Sequence, residues 1–351
     1  DVGLHYVGQV HERGSQGRAL FDYLAEGRLE WQSMPDVYDR DLIGDLRFDY
    51  VRGESRLRDS LKAAFPSEGR AVDRYFAAIR RCLRRMPLFF VEKVLPPIPA
   101  RLLGGALRAP FLSLAGRTTA SVLDDIGMSP QLRAILTAQW GDYGLPPKQS
   151  SFGIHALVTS HYFEGAAYPM GGARQVAESL IPTIEKAGGR IVVAAEVAGI
   201  LLQGDRAVGV RMLDGQEFRA RRIVSDVGAA PTLRHLLPGG APGSVRAVAR
   251  RLADLQPSIA HLCLYVGIDR QKLNAPLDGT NIWIHPSVDF DGNLARFEAD
   301  RNAPFPFLFI SFPSAKDATF ASRHPGHDTV EAITVMPFAP FAEWSDTLWR
   351  D

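Results

Sequence analysis

Two cysteines, Cys82 and Cys263, are all that the 351 residues contain. Neither a disulfide framework nor a zinc-finger spacing can be built from them, which suits a reducing, cytoplasmic setting. Charge of one sign is lacking too. Lys and Arg number 40 against 39 Asp and Glu, so the net charge of +1 offers no strong field for nucleic acid. There is no secretory signal and no apolar run long enough to span a bilayer. No GxSxG elbow occurs, which disfavours a Ser-His-Asp hydrolase. His324-Pro325-Gly326-His327 has tempting metal spacing, but the proline breaks a helical presentation and no third ligand is evident; a loop without metal is expected. There is no internal repeat, and both ends read as cuts in mid-element, so a longer parent chain is expected.

What is present is organised around Tyr168 to Pro231. Gly171-Gly172 open a helix whose Val176, Ala177, Leu180, Ile181 and Ile184 form one apolar stripe, and Gly188-Gly189 stop it. Arg190 to Val193 and Val197 to Leu202 read as strands, and Gln203-Gly204-Asp205 as a turn. Val208, Val210 and Met212 alternate as a half-buried strand does. Asp214-Gly215 signals a tight hairpin, Glu217 to Ala220 returns, and Ile223-Val224 runs inward. The expected order is helix, strand, three short antiparallel strands, strand.

Before this block, Arg18 to Glu26 reads as a short helix. Leu29 to Met34, Val37 to Ile43 and Leu46 to Val51 read as one small antiparallel set. Helices are expected over Glu54 to Phe65, from Ser67 onward, over Thr118 to Asp125, Ser129 to Tyr143 and Ser150 to Phe163. Ser129-Pro130 fits an N-cap followed by proline. Met86 to Gly116 is strongly apolar, broken by proline and glycine, and dotted with Lys93, Arg101, Arg108 and Arg117. It reads either as short core helices or as a peripheral membrane or substrate-access element. After Pro231 come a glycine-rich loop, a helix from Ser244 to Leu252, and strands over Ser258 to Ile268, Asn281 to His285, Phe305 to Phe312 and Thr329 to Met336. These spacings predict a mixed or antiparallel sheet.

Several segments carry a resemblance. Tyr168-Pro169-Met170-Gly171-Gly172-Ala173 looks like YPxGGA, Ile223 to Pro231 like a VVSNADP strand end, and Asp1 to Gly8 like FDxGxHYxG; Phe309 to Asp317 and His324 to His327 also fit. In this order they resemble the phytoene desaturase and amine oxidase superfamily, nearest to its carotenoid isomerase and retinol saturase branch. The resemblance implies an α/β (α+β) fold: an incomplete FAD-binding Rossmann-like domain and a substrate domain with a mixed sheet and a helical cap. Residues 1–167 would be the cap, 168–235 the second half of the FAD-binding domain, and 236–351 the substrate-domain sheet.

The activity implied is that of an FAD-dependent oxidoreductase working on C=C bonds of a lipophilic polyene, as desaturase, saturase or isomerase, with NAD(P) open as electron partner. Asp1, Gly3, Gly171, Gly172, Glu196, Val197, Asp226 and Ala229 match positions beside the dinucleotide. His161, Tyr162 and Tyr168, clustered with His155 and Glu164 before the glycine pair, could supply or remove the proton that accompanies hydride transfer. His5 and Tyr6 form a second candidate pair. No GxGxxG occurs to hold a pyrophosphate, so tight FAD binding by these residues alone is not expected. A truncated homologue binding a lipid or a partner, and a small-molecule or amine oxidase, remain open alternatives, as does an oligomer.

Overall fold

A computed structural model describes residues 4–237, 243–253, 259–338, 341 and 344. Asp1, Gly3 and most of the glycine-rich loop after Leu237 lie outside the described residues. Strand β1 (Val7–Gly8) is followed by helix α1 (Gln16–Leu24), whose first turn Ser15 caps through the Arg18 amide. Strands β2 (Trp31–Ser33), β3 (Val37–Ile43) and β4 (Leu46–Val51) come next, then helices α2 (Glu54–Ala64), α3 (Gly69–Val94) and α4 (Pro97–Ala115). Helices α5 (Thr119–Ile126) and α6 (Pro130–Thr137) start on the hydroxyls of Thr118 and Ser129, each accepting from a backbone amide three residues on. A 3₁₀ turn (Ala138–Tyr143), α7 (Phe152–His161), β5 (Ala166–Pro169) and α8 (Arg174–Lys186) complete the first half.

The second half begins with strands β6 (Val197–Gln203), β7 (Arg206–Met212) and β8 (Glu217–Arg219) and helices α9 (Ala229–Pro231) and α10 (Gly243–Ala253). It closes with β9 (His261–Asp269), β10 (Asn281–His285), α11 (Phe290–Ala299), β11 (Leu308–Ser311), α12 (Pro313–Lys316), α13 (Phe320–Arg323) and β12 (His327–Val335). These elements form two compact units, Asp1–Thr183 with Ile259–Asp351, and Ile184–Ser258.

The larger unit is built on a six-stranded mixed sheet in the order β4-β3-β10-β11-β12-β9. The pairing of β3 with β10 is parallel and every other pairing is antiparallel. The expected mixed sheet is therefore present. A second sheet, β1-β5-β2, joins the chain start to the segment before Gly171. Close approach explains Gly8: a Cβ there would stand 1.9 Å from the His161 carbonyl oxygen. The core runs from the sheet through Tyr38, Phe48, Trp283 and Phe309 into α3, which buries Val72, Tyr75, Phe76, Ile79 and Cys82 at helical spacing.

Three sequence expectations need correction. The strands near residue 30 are not one set, because β2 pairs with β5 while β3 and β4 enter the large sheet. Residues 86–116 form no series of short core helices. They are the end of α3 and all of α4, with Val94, Ile98 and Leu102 each at least 75% exposed. In the smaller unit the β6-β7-β8 meander is present as expected, but Arg190 to Val193 and Ile223-Val224 are not strands. Isolated extended segments gain no ladder hydrogen bonds, and no described strand pairs with either. Val193 and Val224 are accordingly more than 80% exposed. Helix α11, missed in the sequence, begins on the Asp289 side chain.

His155 fastens three elements of the larger unit. Its Nε2 is 2.9 Å from the Tyr75 hydroxyl on α3, and its Nδ1 is 3.1 Å from the Tyr143 hydroxyl of the 3₁₀ turn. Burial pushes the imidazole down to about 3, so it stays neutral in the fold. The unfolded chain, with an ordinary histidine, binds the extra proton first. Stability is thus complete above about pH 6.5 and is lost as pH falls from 6.5 toward 3. The urea midpoint of the native chain should fall across that window, and the fall should be shallower in His155→Gln; equal slopes for both chains refute the assignment.

Candidate functional site

Strand register creates the site. Asp39 on β3 is opposite Asn281 on β10, and Ser311 on β11 is opposite Glu331 on β12. The β10–β11 pairing brings these two pairs into line, so one polar row crosses four strands of the sheet. Lys316, at the end of α12 and almost wholly buried, caps the row. Its ammonium donates to the His5 carbonyl at 3.0 Å, to Ser311 Oγ at 2.7 Å and to the Asn281 side-chain oxygen. Asn281 then turns its amide NH₂ to Asp39 at 2.8 Å. A single amide therefore bridges a buried cation and a buried carboxyl.

Asp39 takes two further donors, the Tyr6 hydroxyl at 3.0 Å and the Gln139 amide. Burial pushes the Asp39 carboxyl up, while the Asn281, Gln139 and Tyr6 donors pull it back. Burial likewise lowers Lys316 to about 7, against the pull of Asp39 and Glu331. The Lys316 ammonium lies 5.7 Å from the Tyr6 ring centroid and 6.0 Å from that of Tyr168. His5 Nδ1 meets Glu331 at 2.8 Å.

Two cavities flank this polar row. One, of about 510 Å³, is lined by Leu4, Val7, Leu157 and Val158 together with His5, Tyr6, Asp142, His161 and Tyr162. Its walls combine aliphatic surface with the polar groups of two histidines, two tyrosines and Asp142, and its size is ordinary for small-molecule sites. Tyr6 and Tyr162 stack there with centroids 4.5 Å apart. The other, of about 380 Å³, is lined by Tyr168, Gly171, Gly172, Tyr265, Phe320 and Glu331, among others.

The sequence candidates divide between these places. His161 and Tyr162 reach the first cavity and Tyr168, Gly171 and Gly172 the second. His161 Nε2 already accepts the Gly8 amide at 2.9 Å. Gly171 and Gly172 have φ of 89° and 94°, but their amides are taken, by Asp317 at 3.1 Å and by the Pro169 carbonyl at 3.1 Å. His155 is held between Tyr75 and Tyr143. In the smaller unit, Glu196 lines a groove of about 560 Å³ with Val192, Val193, Met212, Leu213 and Phe218, and Val197 opens β6 beside it. Asp226 lies in irregular chain, and Ala229 begins α9.

Sequence reasoning missed Asp39, Asp142, Gln139 and Asn281. The available signal was acids at inward positions of a strand: Asp39 and Asp41 are both wholly buried on β3. Lys316 stood inside a quoted motif, but without a role. Among the described residues no group of three or more His, Cys, Asp or Glu is placed to hold a metal. No described helix is long and apolar enough to cross a membrane.

No protein-family model matches the chain. An all-trans-retinol 13,14-reductase of Danio rerio is 33% identical over 362 residues, covering 99% of this chain and 59% of the relative. A chloroplastic prolycopene isomerase of Arabidopsis thaliana is 28% identical over 173 residues, covering 49% of this chain and 27% of the relative. The chain thus spans about three-fifths of the length of the reductase it matches. Among solved structures, an oxidoreductase from Methanosarcina mazei superposes with a TM-score of 0.59 at 14% identity, over 97% of this chain and 68% of that one. That likeness is one of fold alone.

Removing one charge of a buried set leaves the remainder poorly compensated, at about 3–5 kcal/mol. Lys316→Met should cost an amount of that order in urea unfolding. Asp39→Asn combined with it should cost clearly less than the sum of the single changes, because Asn281 couples the two sites. Additive losses refute the bridge.

Proposed function

The chain belongs to the family of retinol and carotenoid oxidoreductases, and on that premise we propose that the protein it represents is an FAD-dependent enzyme acting on a C=C bond of a lipophilic polyene. The observation that carries this reading is the 33% identity to a retinol 13,14-reductase along 99% of the chain. The aliphatic and aromatic walls of the 510 Å³ cavity support it, because a polyene offers apolar length and few polar atoms.

In this reading the smaller unit takes the adenine end of FAD. The groove at Glu196 has apolar walls, and the backbone edge at Glu196–Val197 can pair with a purine without a special side chain. Asp226 and Ala229 are assigned to the same dinucleotide. The residues present fit that end. At Gly171–Gly172, assigned to the neighbourhood of the flavin and substrate, the two backbone amides already have partners and are not free to bind an anion. FAD, when bound, supplies two-electron chemistry to the double bond. The larger unit binds the polyene. Tyr162 and Tyr6 stack to form one wall, and His161 orients the chain start by holding the Gly8 amide. Tyr168, packed over Lys316, shapes the second cavity.

The α3–α4 hairpin is the proposed route to a membrane surface. Leu88, Phe90, Val94, Ile98, Leu102 and Leu103 are exposed, with Lys93, Arg101 and Arg108 exposed among them. An apolar face flanked by cations suits the boundary between acyl chains and headgroups.

Two measurements test these assignments. The complete protein should purify with flavin absorbance and change the double bonds of a retinoid or carotenoid, read by product chromatography; a colourless protein, or one inert toward every polyene, refutes the reading. It should also co-sediment with phospholipid vesicles. Ile98→Glu with Leu102→Glu should abolish that co-sedimentation while leaving the unfolding midpoint within about 1 °C, as surface changes do. Unchanged vesicle binding removes the hairpin from the proposal.

A further inference from the structure

Charge is spread unevenly along this chain. Helices α3 and α4 carry eight arginines and one lysine against two acids, Asp73 and Glu92, a net of +7 in a chain whose total is +1. The remaining residues are therefore net −6. Neither acid is free. Asp73 is paired with Arg58 at 2.6 Å and Lys62 at 2.7 Å, and Glu92 with Lys93 at 2.8 Å and Arg108 at 3.2 Å. Arg74, Arg81, Arg84 and Arg101 are exposed and have no acidic partner among the described residues.

The second observation is order along the hairpin. On α3, Arg81, Arg84, Leu88 and Val91 follow at steps of three and four residues, so they share one stripe, and all four are exposed. Beyond Cys82 no residue of α3 is buried. At a rise of about 1.5 Å per residue, Arg84 and Arg81 stand about 6 and 10 Å along the axis from Leu88, where the apolar end begins. An interfacial helix passes from acyl boundary to headgroups over roughly that depth, about 5–10 Å. The hairpin is also seated on α7, since a Cβ at Gly153 would stand 2.5 Å from the Ala115 Cβ. Leu157 and Val158 of the same helix line the 510 Å³ cavity.

We infer that the α3–α4 hairpin docks on a bilayer surface rich in anionic phospholipid, with Arg81, Arg84 and Arg101 at the headgroup phosphates and the apolar end among the acyl chains. This rests on the membrane contact already proposed for the hairpin and adds the charge of the lipid that it selects. A second copy of the chain does not suit this surface, because two hairpins of net +7 repel. A nucleic acid would meet the arginines but leave Ile98, Leu102 and Leu103 in water. An anionic bilayer covers both parts. Guanidinium groups grip phosphate oxygens in pairs, and their long stems reach up to the headgroups while the helix lies lower.

The test is co-sedimentation of the complete protein with vesicles of phosphatidylcholine alone, or of phosphatidylcholine mixed with phosphatidylglycerol. Each cation near an anionic surface adds about fivefold in affinity, so three should make the mixed vesicles bind about 10²-fold more tightly. Added salt should erase that difference. Arg81→Gln with Arg84→Gln and Arg101→Gln should remove the preference at an unchanged unfolding midpoint. Arg81→Lys with Arg84→Lys and Arg101→Lys should keep most of it. If the glutamine variant does not fold, the salt titration of native protein decides. Equal binding to both vesicles, or a preference that neither salt nor the glutamine changes weaken, overturns this proposal and leaves the membrane contact standing. Binding to neither vesicle overturns the two together. Binding to duplex DNA as tight as to mixed vesicles, and indifferent to Ile98→Glu with Leu102→Glu, overturns it in favour of a nucleic-acid surface.

Discussion

A lysine ammonium almost entirely removed from water is the constraint on which the larger unit depends. Burying an unpaired charge is prohibitive, so each of its three protons needs an acceptor. Here the acceptors are the His5 carbonyl, the Asn281 amide oxygen and the Ser311 hydroxyl, which come from the chain start and from two strands. Asn281 passes the polarity on to Asp39, and Asp39 gathers Tyr6 and Gln139. One cation therefore ties the chain start, β3, β10, β11, α12 and the 3₁₀ turn into a single polar knot. Such a knot specifies one register: a one-residue slip of β10 would turn Asn281 to the opposite face.

The same knot shapes the cavity side of the molecule. Tyr6 is fixed at its hydroxyl by Asp39 and on its face by Tyr162, so an aromatic wall held at two points stands beside aliphatic ones. His161 holds Gly8 in place, and Gly8 is small because the His161 carbonyl lies where a Cβ would be. His5, Tyr6 and His161 on this cavity are each held by a hydrogen bond, to Glu331, Asp39 and the Gly8 amide.

Legibility in the sequence followed the range of the forces involved. Ser129 capping a helix begun by Pro130, the apolar stripe of α3 and the Asp214-Gly215 hairpin were readable because each depends on residues within one or two turns. Arg190 to Val193 was read as a strand on composition alone, and composition cannot supply a neighbour to bond with. The stretch 86–116 left core and surface readings open because periodicity identifies an apolar face without saying what covers it.

The sequence by itself determined most of the local elements and, through short motifs in a fixed order, the family; the parallel pairing of β3 with β10 that makes the larger sheet mixed came only with the tertiary structure. Only the tertiary structure decided that Asp39, Asn281, Ser311 and Glu331 form one row, that Lys316 caps it, and that Asp142 faces the cavity near Tyr6. The reason is separation along the chain: Asp39 and Asn281 stand 242 residues apart. No local pattern encodes the register between strands so distant, whereas the packing energy of the whole sheet does.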